Sequence, residues 1–302
     1  MPDYRQPLEF GYFLLPNAGN PQATLATARL LDNLGYDLIG IQDHPYQSRH
    51  FDTFALMATI LAQTGHVRVF PDVANLALRP PAMLAKASAT LDQLSGGRFE
   101  LGLGSGGFWQ AIEAFGGPNR TPREALKSLE EGIEIIRRFW SGGRAIRFEG
   151  EQFQIKGAQP GPLPFHDISI WLGVIRPRAL ALTGRLADGW IPSMSYIPPS
   201  EAAKGNAIID QAAREAGRDP SAIRRIYNLG GAFTATAPAP FNPDDRQITG
   251  PVEHWVDVIT RLSTEYGFST FVLWSDPDPD ALRTFIKEVA PAVRERVATL
   301  RD

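Results

Sequence analysis

Apolar and polar positions along the chain change period repeatedly, and the changes fall in a regular order. Residues 9–15 are an apolar run stopped by Pro16 and Asn17, and 22–34 then place apolar residues at helical spacing up to Gly35. The same couplet recurs as strand 38–42 with helix 54–63, and as strand 67–74 with helix 82–94, the latter opened by Pro80 and Pro81. Strand 99–103 follows, then a helix capped by Thr121 with Pro122 and Glu124 in its first turn, running to about Trp140. Residues 146–155, with turn residues Glu149 and Gly150, have the pattern of a hairpin lid. Strand 169–172 with helix 178–186, strand 189–191 with helix 200–216, strand 226–233 with helix 252–266, and strand 270–274 with helix 281–297 complete the chain.

Eight strand-then-helix units in a chain of 302 residues predict an α/β fold, because parallel strands need crossovers. Eight units close most naturally into a (β/α)8 TIM barrel, the alternative being an open doubly wound sheet. No linker divides the sequence, so 1–302 is expected to be a single domain. Residues 234–248, with Pro238, Pro240 and Pro243, are expected to be a long loop after the seventh strand.

Composition narrows the function. Hydrophobic residues make up 43% and charged residues 21%, as in globular proteins. The net charge of −3, without a Lys/Arg run, supplies no footprint for nucleic acid. No apolar stretch reaches membrane-spanning length, and the first residues lack signal-peptide character. With no cysteine there is no disulfide or thiolate, which suits a cytoplasmic protein. Five scattered histidines with no close pair predict no metal site. Exposed barrel helices leave room for a homodimer.

In a barrel the chemistry gathers where the strands end at their C-terminal side. The second strand ends in Asp43-His44, a proton carrier beside a carboxylate that can orient it, or else a capped surface turn. His50 in the same loop is a second candidate, whereas His66, His166 and His254 fit surface or loop positions. The third strand ends at Asp72, Val73, Ala74 and Asn75. The fourth ends in Gly102-Leu103-Gly104-Ser105-Gly106-Gly107, a G-x-G-x-x-G spacing that does not follow a first strand or open directly into a long helix. It predicts either close backbone approach to a flat ligand or a plain glycine turn. The residue two before Ser105 is Leu103 rather than glycine, which removes the nucleophile elbow of a serine hydrolase. Gly173, Val174, Arg176 and Arg178 lead from a strand into a helix, where a phosphate finds free N–H groups. Tyr46, Phe51, Phe108, Trp109, Trp190 and Tyr196 cluster in or near these loops, as packing or as the wall of an apolar pocket. A barrel glycosidase pairing Asp43 with Asp72 or Asp276 is a rival reading.

Several segments together resemble the bacterial luciferase-like superfamily of flavin- and deazaflavin-dependent oxidoreductases over residues 8–297. They are Gly35-Tyr36-Asp37, Ile41-Gln42-Asp43-His44-Pro45, Leu78-Arg79-Pro80-Pro81, Leu91 through Gly104 (LDQLSGGRFELGLG), and Thr183 through Trp190 (TGRLADGW). The resemblance implies a barrel holding coenzyme F420, or alternatively FMN, at the strand C-termini. It implies a non-proline cis peptide near Asp72-Val73-Ala74 under the ring, Gly104, Ser105, Gly106 and Gly107 flanking the cofactor, and Gly173 and Val174 at its phosphate tail, where Arg178 of the following helix could assist. His44, oriented or electrostatically supported by Asp43, would move the proton that accompanies hydride transfer to or from a small organic substrate. Asp-His after the second strand is similar to the F420-dependent branch. The alternatives are an FMN- and O2-dependent monooxygenase and a non-catalytic flavin-binding protein. The glutamate that sugar-phosphate dehydrogenases of the family place after G-[ST]-G is Gly107 here, and their loop tryptophan is Ser48.

Overall fold

The computed structural model describes residues 3–236 and 240–302. Its first half contains β1 (Glu9–Leu14), α1 (Pro21–Leu34), β2 (Leu38–Ile41), α2 (Thr53–Gln63), β3 (Arg68–Pro71), β4 (Ala74–Asn75), α3 (Pro81–Ser95), β5 (Leu101–Gly104), α4 (Trp109–Ala114) and α5 (Pro122–Trp140). The hairpin β6 (Ile146–Glu149) and β7 (Gln154–Ala158) leads to β8 (Ile170–Leu172), α6 (Pro177–Leu186), β9 (Gly189–Trp190) and α7 (Pro199–Glu215). The chain ends with β10 (Arg224–Phe233), β11 (Ile248–Gly250), α8 (Val252–Thr264), β12 (Thr270–Trp274), α9 (Pro279–Thr284) and α10 (Ala290–Arg301), the last two joined by a π-helical turn.

The parallel strands follow the order β3-β2-β1-β12-β10-β9-β8-β5-β4, a nearly closed barrel. Closure between β3 and β5 takes two backbone bonds, Val69 N–H to the Arg98 carbonyl at 2.9 Å and Glu100 N–H to the Val69 carbonyl at 3.0 Å. The single strand expected over 67–74 is two: β3 pairs with β2, and β4 pairs with β5 beyond a cis Asp72–Val73 peptide. The short α4 lies between Gly106-Gly107 and Gly116-Gly117, too brief for helical periodicity to announce it.

Large lumen side chains lie over glycines of adjacent strands. A Cβ on Gly11 would stand 2.8 Å from the Leu38 side chain, one on Gly40 2.7 Å from Phe70, and one on Gly189 2.5 Å from Trp171. Leu38, Phe70, Trp171, Ile191, Ile226 and Val272 thereby fill the lumen, with Phe13 and Val73 packed on them. At the N-terminal end of the strands Arg68 pairs with Glu9 at 2.5 Å and Glu100 at 3.1 Å, and Arg224 with Glu9 at 3.0 Å.

The hairpin is not a free lid. The buried Glu131 carboxylate of α5 accepts the N–H groups of Glu151, Gln152 and Phe153 at 2.8–3.0 Å, which ties the turn to that helix. A Cβ on Gly150 would meet the same carboxylate at 2.2 Å. In the loop after β10, Pro238 lies outside the described residues. Its second half is held by Ser200 N–H on the Pro243 carbonyl at 2.8 Å and by β11 pairing with β10.

Candidate active site at the mouth of the barrel

Asp43 and His44 leave the end of β2, but they do not pair with each other. Asp43 is buried, and its Oδ2 accepts Asn75 N–H at 2.9 Å and Arg79 Nε at 2.8 Å. Its Oδ1 accepts Arg79 Nη2 at 2.8 Å. The expected orientation of His44 by Asp43 is therefore corrected: the carboxylate fixes β4 and Arg79, and reaches His44 only through its field. The chain segment Leu78-Arg79-Pro80-Pro81 carried this signal, although nothing in it named the partner.

The His44 ring is held by other rings. It stacks on Tyr46 with centroids 5.3 Å apart, and Phe108 meets it edge-on at 5.3 Å. Neither ring nitrogen has a hydrogen bond to protein among the described residues. Burial holds its pKa below the ordinary histidine value, Asp43 opposes that, and His50 adds to it. His50 Nδ1 is itself buried without a partner.

Two of the glycines expected to admit a flat ligand, Gly102 and Gly104, have a protein neighbour instead. A Cβ on Gly104 would stand 2.8 Å from Val73 Cγ2, one on Gly173 2.9 Å from the same atom, and one on Gly102 3.2 Å from Val73 Cγ1. These glycines clear a slot for the Val73 side chain. Gly106 has φ +98°, and a Cβ on Gly107 would meet nothing within 4 Å. Ala74 and Asn75 are buried in β4, paired with Leu103 and Gly104.

Asp72 Oδ2 is buried with no partner, and burial pushes the carboxyl up to about 7 against the opposing influence of Asn228. Asn228 Oδ1 on β10 and Ser195 Oγ after β9 are likewise buried and unpartnered. Sequence reasoning missed both. Asn228 had a signal, as the one amide within the apolar run 226–233.

Ser105, Gly106 and Gly107 form one wall of a cavity of about 780 Å³, whose other walls are the first turns of α5 and α6 with Arg123, Gly173, Val174, Arg176 and Arg178. Arg123 stands 3.7 Å from Glu151. Neither Arg176 nor Arg178 bonds a carboxylate among the described residues, and no side chain caps α6. Free N–H groups, the positive helix end and two unpaired guanidinium groups suit an anion. The Val174 carbonyl is taken by Trp190 Nε1 at 2.8 Å. Among the described residues no group of His, Asp or Glu could hold a metal ion, and no helix is long and apolar enough to cross a membrane.

The family model for luciferase-like monooxygenases matches residues 8–238. A 5,10-methylenetetrahydromethanopterin reductase of Archaeoglobus fulgidus is 32% identical over 198 residues, which is 66% of this chain and 56% of that protein. An F420-dependent glucose-6-phosphate dehydrogenase of Microbacterium testaceum is 26% identical over 290 residues, 90% of this chain and 85% of the relative. Among solved structures, an F420-dependent secondary alcohol dehydrogenase in complex with an F420-acetone adduct superposes with a TM-score of 0.82 at 20% identity, over 95% of this chain and 99% of that one.

Proposed function

The chain belongs to the luciferase-like monooxygenase family, and on that footing we propose that it is an oxidoreductase that uses coenzyme F420 for hydride transfer to or from a small organic molecule. The observation that carries this reading is one loop with two sides. Residues Ser105–Gly107 line the arginine cavity, and Phe108 directly after them packs on His44. A tail site and a proton carrier are thus joined by four residues.

The residues present fit such a cofactor. Orphaned polar atoms at Asp72, Asn228 and Ser195 suit the polar edge of a flat heterocycle, and Val73 supplies an apolar bed beside them. Arg176, Arg178 and the first turn of α6 suit an anionic tail, with Arg123 at the rim. Three guanidinium groups favour the deazaflavin, whose tail carries carboxylates beyond its phosphate, over FMN with one phosphate. When bound, F420 supplies a hydride donor or acceptor. His44 handles the proton: its neutral ring accepts one from an alcohol, or its protonated ring delivers one to a carbonyl oxygen.

The second reading, an FMN- and O2-dependent monooxygenase, is favoured by the family's own description. Fluorescence titration with oxidised and reduced F420 and FMN separates the two. Selective F420 binding, weakened by Arg178→Ala, supports hydride transfer. Selective FMN binding moves the reading to oxygen chemistry, to be tested with labelled O2, and binding of neither removes both.

A further inference from the structure

The barrel lumen is filled in layers, and its top layer differs in kind from the one beneath. Leu38, Phe70, Trp171, Ile226 and Val272 make an apolar layer from five strands. Along a strand every second side chain faces the same way, so the next residues toward the mouth are Gly40, Asp72, Gly173, Asn228 and Trp274. The register holds past the end of β3, where Asp72 N–H still meets the Ile41 carbonyl of β2 at 2.7 Å. A Cβ on Gly40 would stand 3.2 Å from Asp72 Oδ2, which puts the carboxyl over β2 on the lumen side, beside the Phe70 ring. On these five strands the floor of the mouth is two glycines, a carboxyl, an amide and an indole, laid on apolar side chains.

Nothing there balances a negative charge on Asp72. Its Oδ2 is buried without a hydrogen-bond partner among the described residues. The titratable groups on the surrounding elements are Tyr12 of β1, Asp43, His44 and Tyr46 after β2, Arg79 after β4 and Asp276 after β12. None of them acts on the Asp72 carboxyl; only the Asn228 amide does. Arg79 is held by Asp43 and, at 2.6 Å, by Asp52. Asn228 gives Nδ2 to Ser193 Oγ at 3.2 Å and keeps Oδ1 buried and unpartnered. Two acceptor oxygens in one layer of the lumen thus lack a hydrogen. A proton on Asp72 supplies it, because a protonated carboxyl donates where a carboxylate only accepts. The residue as a whole is half-buried. With apolar side chains beneath it, its open side is the mouth, and a ring laid across the mouth would seal it.

We infer that Asp72 keeps its proton where ordinary aspartates have lost theirs, that it donates toward Asn228, and that a flat ring settles over it only with that proton in place. The last part rests on the functional reading above, which sets the cofactor ring on this floor. Burial pushes the carboxyl up to about 7 in the open protein. A ring across it removes the remaining water, and a charge sealed from water without a partner is costly. Binding therefore favours the neutral acid. Affinity is level below the free-protein value and falls by up to about tenfold per pH unit above it, as for any binding that needs one proton.

The first test needs no cofactor. The infrared difference between the full chain and Asp72→Asn, an uncharged isostere, should contain a protonated-carboxyl stretch at pH 6 that is gone by pH 9. Its absence at pH 6 overturns the inference. The second test is fluorescence titration with F420, and with FMN, over the same range. The ratio of the wild-type dissociation constant to that of Asp72→Asn should rise at least tenfold from pH 6 to pH 9. Ionisation of the cofactor itself acts on both proteins and leaves the ratio alone, and an aspartate with a merely structural role would shift affinity by one factor at every pH. Asp72→Ser, also uncharged, should reproduce the result, and takes the place of Asp72→Asn if circular dichroism shows that variant unfolded. A constant ratio overturns the coupling. If the stretch is present but neither cofactor binds at any pH, the functional reading fails and takes the coupling with it, while the protonated acid stands.

Discussion

Arg79 grips Asp43 with two nitrogens, Nε on Oδ2 and Nη2 on Oδ1, both at 2.8 Å. Arg79 also reaches Asp52, which caps α2 by accepting Ala55 N–H at 2.9 Å. One guanidinium thus joins the end of β2, the start of α2 and the turn after β4. The carboxylate next to His44 in sequence serves the scaffold beneath it.

Removing Arg79 leaves a buried carboxylate with one backbone partner. Arg79→Ala should lose about 3–5 kcal/mol of stability, the usual cost of stranding one member of a buried pair. Arg79→Lys should recover only part of it, because a lysine cannot make the forked contact. Urea denaturation checks both. A loss under about 1 kcal/mol for Arg79→Ala would show that Asp43 finds water or a proton at little cost.

His44 should matter to turnover more than to cofactor affinity. His44→Ala is expected to lower kcat by about 10²- to 10⁴-fold, the usual contribution of a positioned acid or base, and to leave the F420 dissociation constant nearly unchanged. Because burial depresses its pKa, the ring stays neutral as pH falls to the ordinary histidine value. In the alcohol-oxidising direction kcat/KM should therefore hold to that point and decline below it. His50 lowers the His44 pKa and Asp43 raises it, so His50→Gln should move the acid limb to higher pH. An unmoved limb would separate the two histidines.

The alternation of strand and helix was legible because each periodic run ends at a proline, glycine or polar residue, as at Pro16, Gly35 and Gly96. The hidden parts depend on contacts between distant residues. Nothing near Asp43 announces that its partner lies 36 residues away. His166 looked like a loop residue, yet its Nδ1 meets Asp92 Oδ1 at 2.7 Å. Gly102 and Gly104 within β5 suggest a ligand, whereas Val73, contributed by another strand end, lies against both, and Gly107 stays open.

That slot makes a paired prediction. Gly104→Ala brings a methyl against a movable side chain, and should cost about 1–3 kcal/mol as an overpacking change. Val73→Ala in the same chain should recover most of it. Gly102→Ala instead meets the Pro71 carbonyl oxygen at 2.1 Å, which no trimming of Val73 relieves. Thermal denaturation of the single and double variants distinguishes these cases, and equal rescue of both glycine changes would contradict the geometry.

His166 makes stability depend on pH at the far end of the barrel. Glu100, with Nε2 3.5 Å from its Oε1, and Asp92 raise its pKa to about 9 against the effect of burial. A folded-state value above the unfolded one, about 6.5, stabilises the protein fully below the unfolded value. That contribution disappears as pH rises through the folded value. Unfolding free energy should fall between pH 6.5 and 9, and His166→Asn should flatten that part of the curve. An identical slope in the variant would assign the titration to another group.

The barrel wall is spliced at one place. β3 is pinned to the β5 side low down, through Val69 with Arg98 and Glu100, and β4 is pinned higher up, by Leu103 and Gly104. Between them Asp72 N–H turns to the Ile41 carbonyl instead, at 2.7 Å. A hoop whose two ends are riveted separately can tilt its upper lip without loosening its lower ring. Val73 sits on that lip, so a cofactor held as proposed above would rest where the wall changes neighbours, from β2 below to β5 above.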